Sequence, residues 1–287
     1  MEAINTQSFM SKLKSFKSNP FSAILFILVM FATTVTFLTL VFLVGYILVK
    51  GIPNITWKLF EWKYTTENAS LMPSLINTIV MTAISLLIAT PIGIFSAVYL
   101  VEYAKRGNKI VGLIRVTAET LSGIPSIVYG LFGFLFFVTT LKWGYSMLAG
   151  AFTLAIMILP LIMRTTEEAL KAVPDVYREG SFGLGAGKLR TVFVIVLPAA
   201  VPGILAGVIL AIGRIVGETA ALIYTAGTIA QIPDLMGSGS TLSVHMYNLS
   251  KEGLYMNQSY ATAVILLIIV VVINSISGFI AKKIAKE

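Results

Sequence analysis

Apolar residues run almost unbroken through six stretches of the 287-residue chain, at about 23–49, 75–101, 125–141, 146–170, 199–226 and 259–281, with polar and charged residues gathered between them. At about 1.5 Å of rise per residue, runs of roughly this length cross a hydrocarbon core of about 30 Å. In lipid every backbone N–H and C=O must be satisfied within the segment or within a closed barrel. Continuous apolar runs without strand-like alternation therefore select the helix. The pattern predicts an all-α integral membrane protein of about six transmembrane helices. A polar cytoplasmic tail, 1–22, precedes a transmembrane domain, 23–287. The first run is much longer than a cleavable leader and lacks a small-residue cleavage site, so it reads as a retained anchor.

The connections carry their own patterns. Trp57, Phe60, Trp62 and Tyr64 fall between Gly51 and Ser74, a composition suited to the headgroup layer. The segment AKRGNKIVGLIRVTAETLSGIPSIVYGLFG begins basic and turns apolar at Gly123 and Pro125, which predicts an interfacial helix leading into a bent membrane entry. GTIAQIPDLMGSGSTLSVHMYNLSKEG reads as an external loop with short helical pieces. No internal repeat is visible, so any transport path needs a second chain for its other half.

Composition supports the membrane reading: 57% of residues are apolar, 12% are charged, and the mean hydropathy is +0.90. The net charge of +8 follows the positive-inside bias and requires no nucleic acid. Lys12, Lys14 and Lys17, then Lys105, Arg106, Lys109 and Arg115, then Lys171, Arg178, Lys188 and Arg190, then Lys282, Lys283 and Lys286 all fall on one side of the predicted spans. That side is the cytoplasm, where both termini are expected. With no Cys and a single His245, the chain offers no thiolate or His-cluster metal site, and it holds no nucleophile–base constellation of an enzyme. Arg164, Arg214 and Glu218 are among the charges that fall inside predicted spans. Arg164 lies near a span end, where its stem can snorkel. Arg214 and Glu218, four residues apart mid-span, are expected on one helix face, each needing a partner or a wet cavity.

The cytoplasmic stretch 173–198 contains REGSFGLGAGKLRTVFVIVLP, which superficially looks like a phosphate-cradling loop. A nucleotide loop of the GxxxxGK[ST] type needs Gly where Phe182 stands and Ser or Thr where Leu189 stands. The glycines instead predict two short helices separated near Gly185, the second running toward Ile195 before Pro198 and Pro202 turn the chain into the membrane. Such a helical hairpin is a knob that a cytoplasmic partner can grip.

Glu179, Gly185 six residues on, and Ile195 ten residues beyond, with Leu197 and Pro198, give a spacing that resembles the EAA loop of bacterial ABC-importer permeases. Gly180 and Ser181 stand where that family usually has two alanines. The strings GIPSIVYGLFG, LPLIMRTTEEALKAVPDVYREG and ILAIGRIVGETAALIYTAG resemble the phosphate-specific permeases of the Pst system. RTTEEALKAVP and RIVGETA favour the PstA-type subunit. The resemblance implies a type I ABC-importer permease in the bacterial inner membrane that is not itself catalytic. It also implies a heterodimer with a PstC-type permease, two copies of an ATPase subunit that bind ATP and Mg, and an extracytoplasmic phosphate-binding protein. Glu179, Gly180, Ser181, Gly185, Ile195, Leu197 and Pro198 would form the ATPase contact, and Arg164, Arg214 and Glu218 would belong to the translocation pathway. Import of another oxyanion and ion-coupled secondary transport are the alternatives.

Overall fold

A computed structural model of the chain describes residues 20–105, 107–251 and 253–284. The tail before residue 20, with Lys12, Lys14 and Lys17, lies outside the described residues, as do Arg106, Lys286 and the side chains of Lys282 and Lys283. Every regular element among the described residues is helical. Besides two short 3-10 turns, Ile52–Asn54 and Trp57–Phe60, they are α1 (Pro20–Gly51), α2 (Met72–Tyr103), α3 (Lys109–Ser122), α4 (Ser126–Thr140), α5 (Met147–Ala172), α6 (Asp175–Gly183), α7 (Lys188–Val216), α8 (Ala220–Thr225), α9 (Leu242–Lys251) and α10 (Met256–Ile284).

The chain forms two compact units, residues 1–50 and 51–287. The first is built on α1, whose hydroxyls are satisfied locally. Thr33, Thr34, Thr36 and Thr39 each donate to the carbonyl four residues back, at 2.8–2.9 Å. Their polarity is thereby spent inside the helix, and α1 presents hydrocarbon on its flanks.

In the second unit α5 is the central post. It is apolar around most of its circumference, and Leu154, Met157, Ile158 and Ile162 are fully enclosed. It packs chiefly on α2 and α7, and also meets α3, α4 and α8. Its contact with α7 is close because Gly207 has no side chain: a Cβ there would sit 2.0 Å from Thr165 Oγ1 and 2.6 Å from Thr165 Cβ. Small residues permit this approach where no hydrophobic force drives helices together.

Two expected spans take a different form. The expected run at 125–141 is the second limb of a broken element: α3 and α4 meet at a bend of 102° around Gly123 and Pro125. Five helices are long and apolar enough to cross a membrane, or six if the bent pair counts as one. The expected run at 199–226 starts earlier and ends earlier. α7 is continuous from Lys188 through Pro198 and Pro202 to Val216, and the chain then breaks before α8. Pro198 does not interrupt the helix because the turn before it, Val192–Val196, is wound with i→i+5 spacing, which changes the acceptor register where the proline lacks a donor.

On the side away from the α6–α7 hairpin, a polar layer joins the start of α2 to the 227–245 segment. Asn77 Nδ2 donates to the carbonyls of Gln231 and Ser240 at 2.8 and 3.0 Å, Ser74 and Ser240 pair through their hydroxyls at 2.9 Å, and the Leu242 N–H donates to Thr78 Oγ1 at 2.8 Å. Irregular backbone near membrane depth is tolerated only with partners of this kind.

Replacing Gly207 with Leu forces α5 and α7 apart at Thr165. The purified variant should lose about 1–3 kcal/mol of stability and melt several degrees lower. Gly207→Leu melting with the parent would show that the two helices are not held at this distance.

Candidate functional site

The most exposed apolar surface of the hairpin end is built by α6 and the first turn of α7. Pro174 supplies a fixed φ just before α6, and Asp175 places a carboxylate in its positively polarised first turn. The helix closes at Gly183 and reverses through Gly185, whose φ of +81° is left-handed. The Gly185 N–H donates to the Phe182 carbonyl at 2.9 Å and the Ala186 N–H to the Ser181 carbonyl at 3.1 Å, so the orphaned end of α6 is capped by its own turn. Ser181 is buried and bonds Thr191 across the hairpin, Oγ to Oγ1, at 2.8 Å. Val176, Tyr177, Leu184 and Leu189 face outward, Leu184 with 92% of its surface accessible. Glu179 lies in the middle of α6, exposed, and caps nothing. Ile195 and Leu197 are half-buried and Pro198 is exposed on α7. The small side at Ser181 holds the hairpin together, and its apolar side is left for something else.

Arg178 fixes this hairpin to the bundle. Its guanidinium reaches Glu102 Oε1 through Nε (3.1 Å) and Nη2 (2.7 Å), Asp175 Oδ1 at 3.2 Å, and the carbonyls of Leu170 and Val173 at 2.9 and 2.8 Å. Both carbonyls lie where α5 ends; that of Leu170 also accepts from the Val173 N–H at 3.4 Å. One side chain thus caps α5, orients α6 and binds the last turn of α2. Beside it Glu167, buried on α5, is approached at Oε1 by Arg115 Nε (2.7 Å) and Lys171 Nζ (2.6 Å), contacts of ion-pair distance without aimed hydrogen-bond geometry. Arg115 also donates to the Leu100 carbonyl at 3.4 Å.

Arg164 belongs to the exposed edge of the same belt. Its Nε meets Glu168 Oε1 at 3.1 Å and its Nη1 lies 3.8 Å from Glu119. It is paired within a charged cluster rather than reaching alone for headgroups, and exposed pairs of this kind contribute only a few tenths of a kcal/mol.

Arg214 and Glu218 do not share a helix face, because the helix that would carry both ends between them. Arg214 occupies the last turn of α7, half-buried, where a cation suits the negative end of the helix. Among the described residues it has no ion pair. Glu218 sits in the break and is buried; its Oε1 accepts from the Ala221 N–H at 3.1 Å, serving the start of α8, and its carbonyl accepts from Ser243 Oγ at 2.5 Å. The four-residue spacing misled because Gly217 and Thr219 end one helix and begin the next. Among the described residues no hydrogen bond or ion pair joins Arg164 to either residue.

Directly after Glu218, Thr219 and Ala220 enter the wall of an outer cavity of about 1440 Å³. Trp62, Tyr64, Tyr224, His245 and Asn248 line it, with Lys63 and Lys251 as its cations. His245 is buried, stands edge-on to Tyr64 at 5.8 Å between ring centres, and directs Nε2 to the Ala69 carbonyl at 3.4 Å. Burial lowers its pKa to about 4, more than the backbone contact raises it.

A helical body able to cross a membrane, with a projecting hairpin at one end and an open cavity, has the architecture of a membrane-transport subunit. The comparisons agree. The family model of the binding-protein-dependent transport system inner membrane component matches residues 89–286, and the chain belongs to that family. It is 35% identical over 231 residues to the probable ABC transporter permease protein YqgI of Bacillus subtilis (strain 168), covering 75% of this chain and 78% of that protein. To the phosphate transport system permease protein PstA of Pasteurella multocida (strain Pm70) it is 41% identical over 182 residues, 63% of this chain and 64% of that one, a little under two thirds of its length. Among solved structures, a bacterial ABC transporter involved in import of the acidic polysaccharide alginate superposes with a TM-score of 0.68 at 15% identity, over 94% of this chain and 98% of that chain. The inward-facing MetNI methionine ABC transporter gives 0.59 at 21% identity, over 75% and 94%. These two show the fold, that of a type I ABC-importer permease.

Arg178, Glu102 and Glu167 were not visible as site residues in the sequence, where Arg178 and Arg115 register only as basic loop residues. The one available signal is a buried-type carboxylate, Glu102, ending an apolar run.

Removing Arg178 leaves Glu102 and the Val173 carbonyl without their donor and takes from the Leu170 carbonyl the shorter of its two bonds. Arg178→Met should cost roughly 3 kcal/mol, read as a fall in melting temperature, and the charge-swapped Arg178→Glu, Glu102→Arg pair should not recover it, since a carboxylate cannot donate to carbonyls. Recovery by the swap would reduce the link to simple charge pairing.

His245 takes up a proton only near pH 4 when folded and near pH 6.5 when unfolded, so its contribution is present above about pH 6.5 and fades as pH falls through about 4. Acidification from pH 7 to 4.5 should therefore lower the melting temperature of the parent more than that of His245→Phe, the difference amounting to about 2 kcal/mol. Equal losses would mean that His245 titrates normally.

Proposed function

We propose that this chain is one of two membrane-spanning subunits of an ATP-driven importer of inorganic phosphate. The observation that carries the reading is its 41% identity to a protein named as the phosphate permease PstA. In this reading a PstC-type permease completes the path, an extracytoplasmic binding protein delivers phosphate to the outer face, and two copies of a separate ATPase subunit bind ATP and Mg and perform the hydrolysis. The site is the bacterial cytoplasmic membrane, with both termini and the hairpin on the cytoplasmic side.

The geometry supports these roles. The exposed apolar side of α6, with Glu179, Gly180 and the turn at Gly185, suits a groove on the ATPase. Ser181, Ile195, Leu197 and Pro198 carry its movement into α7, since the helix runs unbroken from the hairpin to Arg214. Arg214, half-buried and without a carboxylate partner, offers planar donors to a passing phosphate. Glu218 shapes the path by holding α8 in place rather than by neutralising Arg214. Arg164 contributes through the charged belt at the inner end.

The test is ATP-dependent phosphate accumulation in vesicles containing all four kinds of subunit. Arg214→Gln should assemble and lose uptake at least tenfold, with Arg214→Lys restoring little. Glu218→Gln, whose amide oxygen still accepts from Ala221, should keep most of the activity that Glu218→Leu loses. Gly185→Val, strained in a left-handed turn, should insert normally and depress transport-coupled hydrolysis. Parental uptake by Arg214→Gln removes that residue from the path. Accumulation of a different oxyanion, or uptake driven by an ion gradient without the ATPase, replaces the assignment.

A further inference from the structure

At the hairpin end of the bundle a second cavity, about 870 Å³, opens between the last turn of α2, the first turns of α3 and the starts of α6 and α7. Lys105, Lys109, Arg115, Lys171, Arg178 and Lys188 line it, against only two carboxylates, Glu102 and Asp175. Both carboxylates are already engaged by Arg178, and Arg115 and Lys171 share Glu167. Among the described residues, Lys105, Lys109 and Lys188 form no ion pair. Lys188 Nζ stands 5.1 Å above the centre of the Tyr103 ring, a contact that steadies the ammonium without cancelling its charge.

The three lysines come from three elements: the turn after α2, the start of α3 and the start of α7. A general bias toward basic loops accounts for their sign but not for their convergence on one concavity, where like charges repel unless an anion joins them. Next to the cavity α3 exposes Ile110, Leu113, Ile114 and Val116, an apolar flank beside a basic hollow. That pairing is what a lipid with an anionic headgroup meets well.

We propose that this cavity binds a phosphate group, carried either by the headgroup of an anionic lipid or by free inorganic phosphate. Arg214 is not in its lining, and the proposal does not rest on the identity of the cargo. Because Lys188 opens α7 while Lys105 and Lys109 flank the α2–α3 turn, an occupant ties the hairpin to the neighbouring helices. Occupancy therefore alters how readily the hairpin moves.

The chain has no Cys, so Gly112→Cys, at an open position on the cavity wall, accepts a single fluorescent label. The labelled full-length chain in neutral detergent is titrated separately with short-chain phosphatidylglycerol and with inorganic phosphate, against phosphatidylcholine and potassium chloride at matched ionic strength. A saturable change with phosphatidylglycerol alone identifies a lipid site, and one with inorganic phosphate identifies a free-anion site. At roughly fivefold per lysine, the Lys105→Gln, Lys109→Gln, Lys188→Gln triple variant should bind at least tenfold more weakly. Lys188→Arg, which keeps charge and ring contact, should bind as the parent does, and Arg214→Gln should leave the signal intact. Absence of saturation with both phosphate-bearing probes, or undiminished binding by the triple variant, overturns the proposal.

Discussion

The guanidinium of Arg178 is the point on which the hairpin end depends. Where α5 stops, its last carbonyls need donors, and the nearby Glu102 needs a counter-charge before it can be buried. A single planar group with five N–H donors answers both demands and fixes α6 against α2 and α5 together. A lysine could supply the charge but not the fork. The hairpin is consequently a rigid projection of the bundle rather than a loose loop. Its exposed apolar side is presented in a defined direction.

The unbroken α7 follows from the same logic of backbone satisfaction. Proline in a helix removes a donor, and α7 carries two, yet the widened turn at Val192–Val196 absorbs the first without a bend large enough to end the element. The start of the hairpin's second helix, the Thr165–Gly207 contact and Arg214 thus all lie along one continuous helix. Beyond Arg214 the helix yields at Gly217, where flexibility is bounded by the Glu218 cap on α8. Stiffness and its termination are both local consequences of named residues.

Much of this architecture was legible from the pattern of apolar runs, because a span of lipid imposes length and periodicity on any sequence. The hairpin reversal at Gly185 was equally visible, since repeated glycines weaken a helix and one left-handed position needs glycine. The break after Val216 was not. Gly217, Glu218 and Thr219 sit in an apolar run that continues through Ala226, and although Gly217 weakens a helix by about 1 kcal/mol, Gly207 and Gly213 earlier in α7 do not end it, so propensity alone does not place the break. What ends the helix is tertiary: Ser243, twenty-five residues on, bonds the Glu218 carbonyl, and the carboxylate turns to Ala221. The Arg178 cluster was hidden for the same reason, its partner Glu102 being 76 residues away.

The outer polar layer has a bearing on how the chain is made. The Asn77 amide, near the start of α2, donates to the carbonyls of Gln231 and Ser240, more than 150 positions later, and Thr78, whose hydroxyl donates to Ser74 in its own helix, accepts from the equally distant Leu242 N–H. During synthesis α2 enters the bilayer long before those groups exist, and the Asn77 amide must be served in the interim by water at the outer surface or by the translocation machinery. The outer face is therefore sealed late, as α9 arrives. A chain arrested before residue 231 carries an unanswered asparagine at its rim, a chemical mark by which an unfinished subunit differs from a finished one.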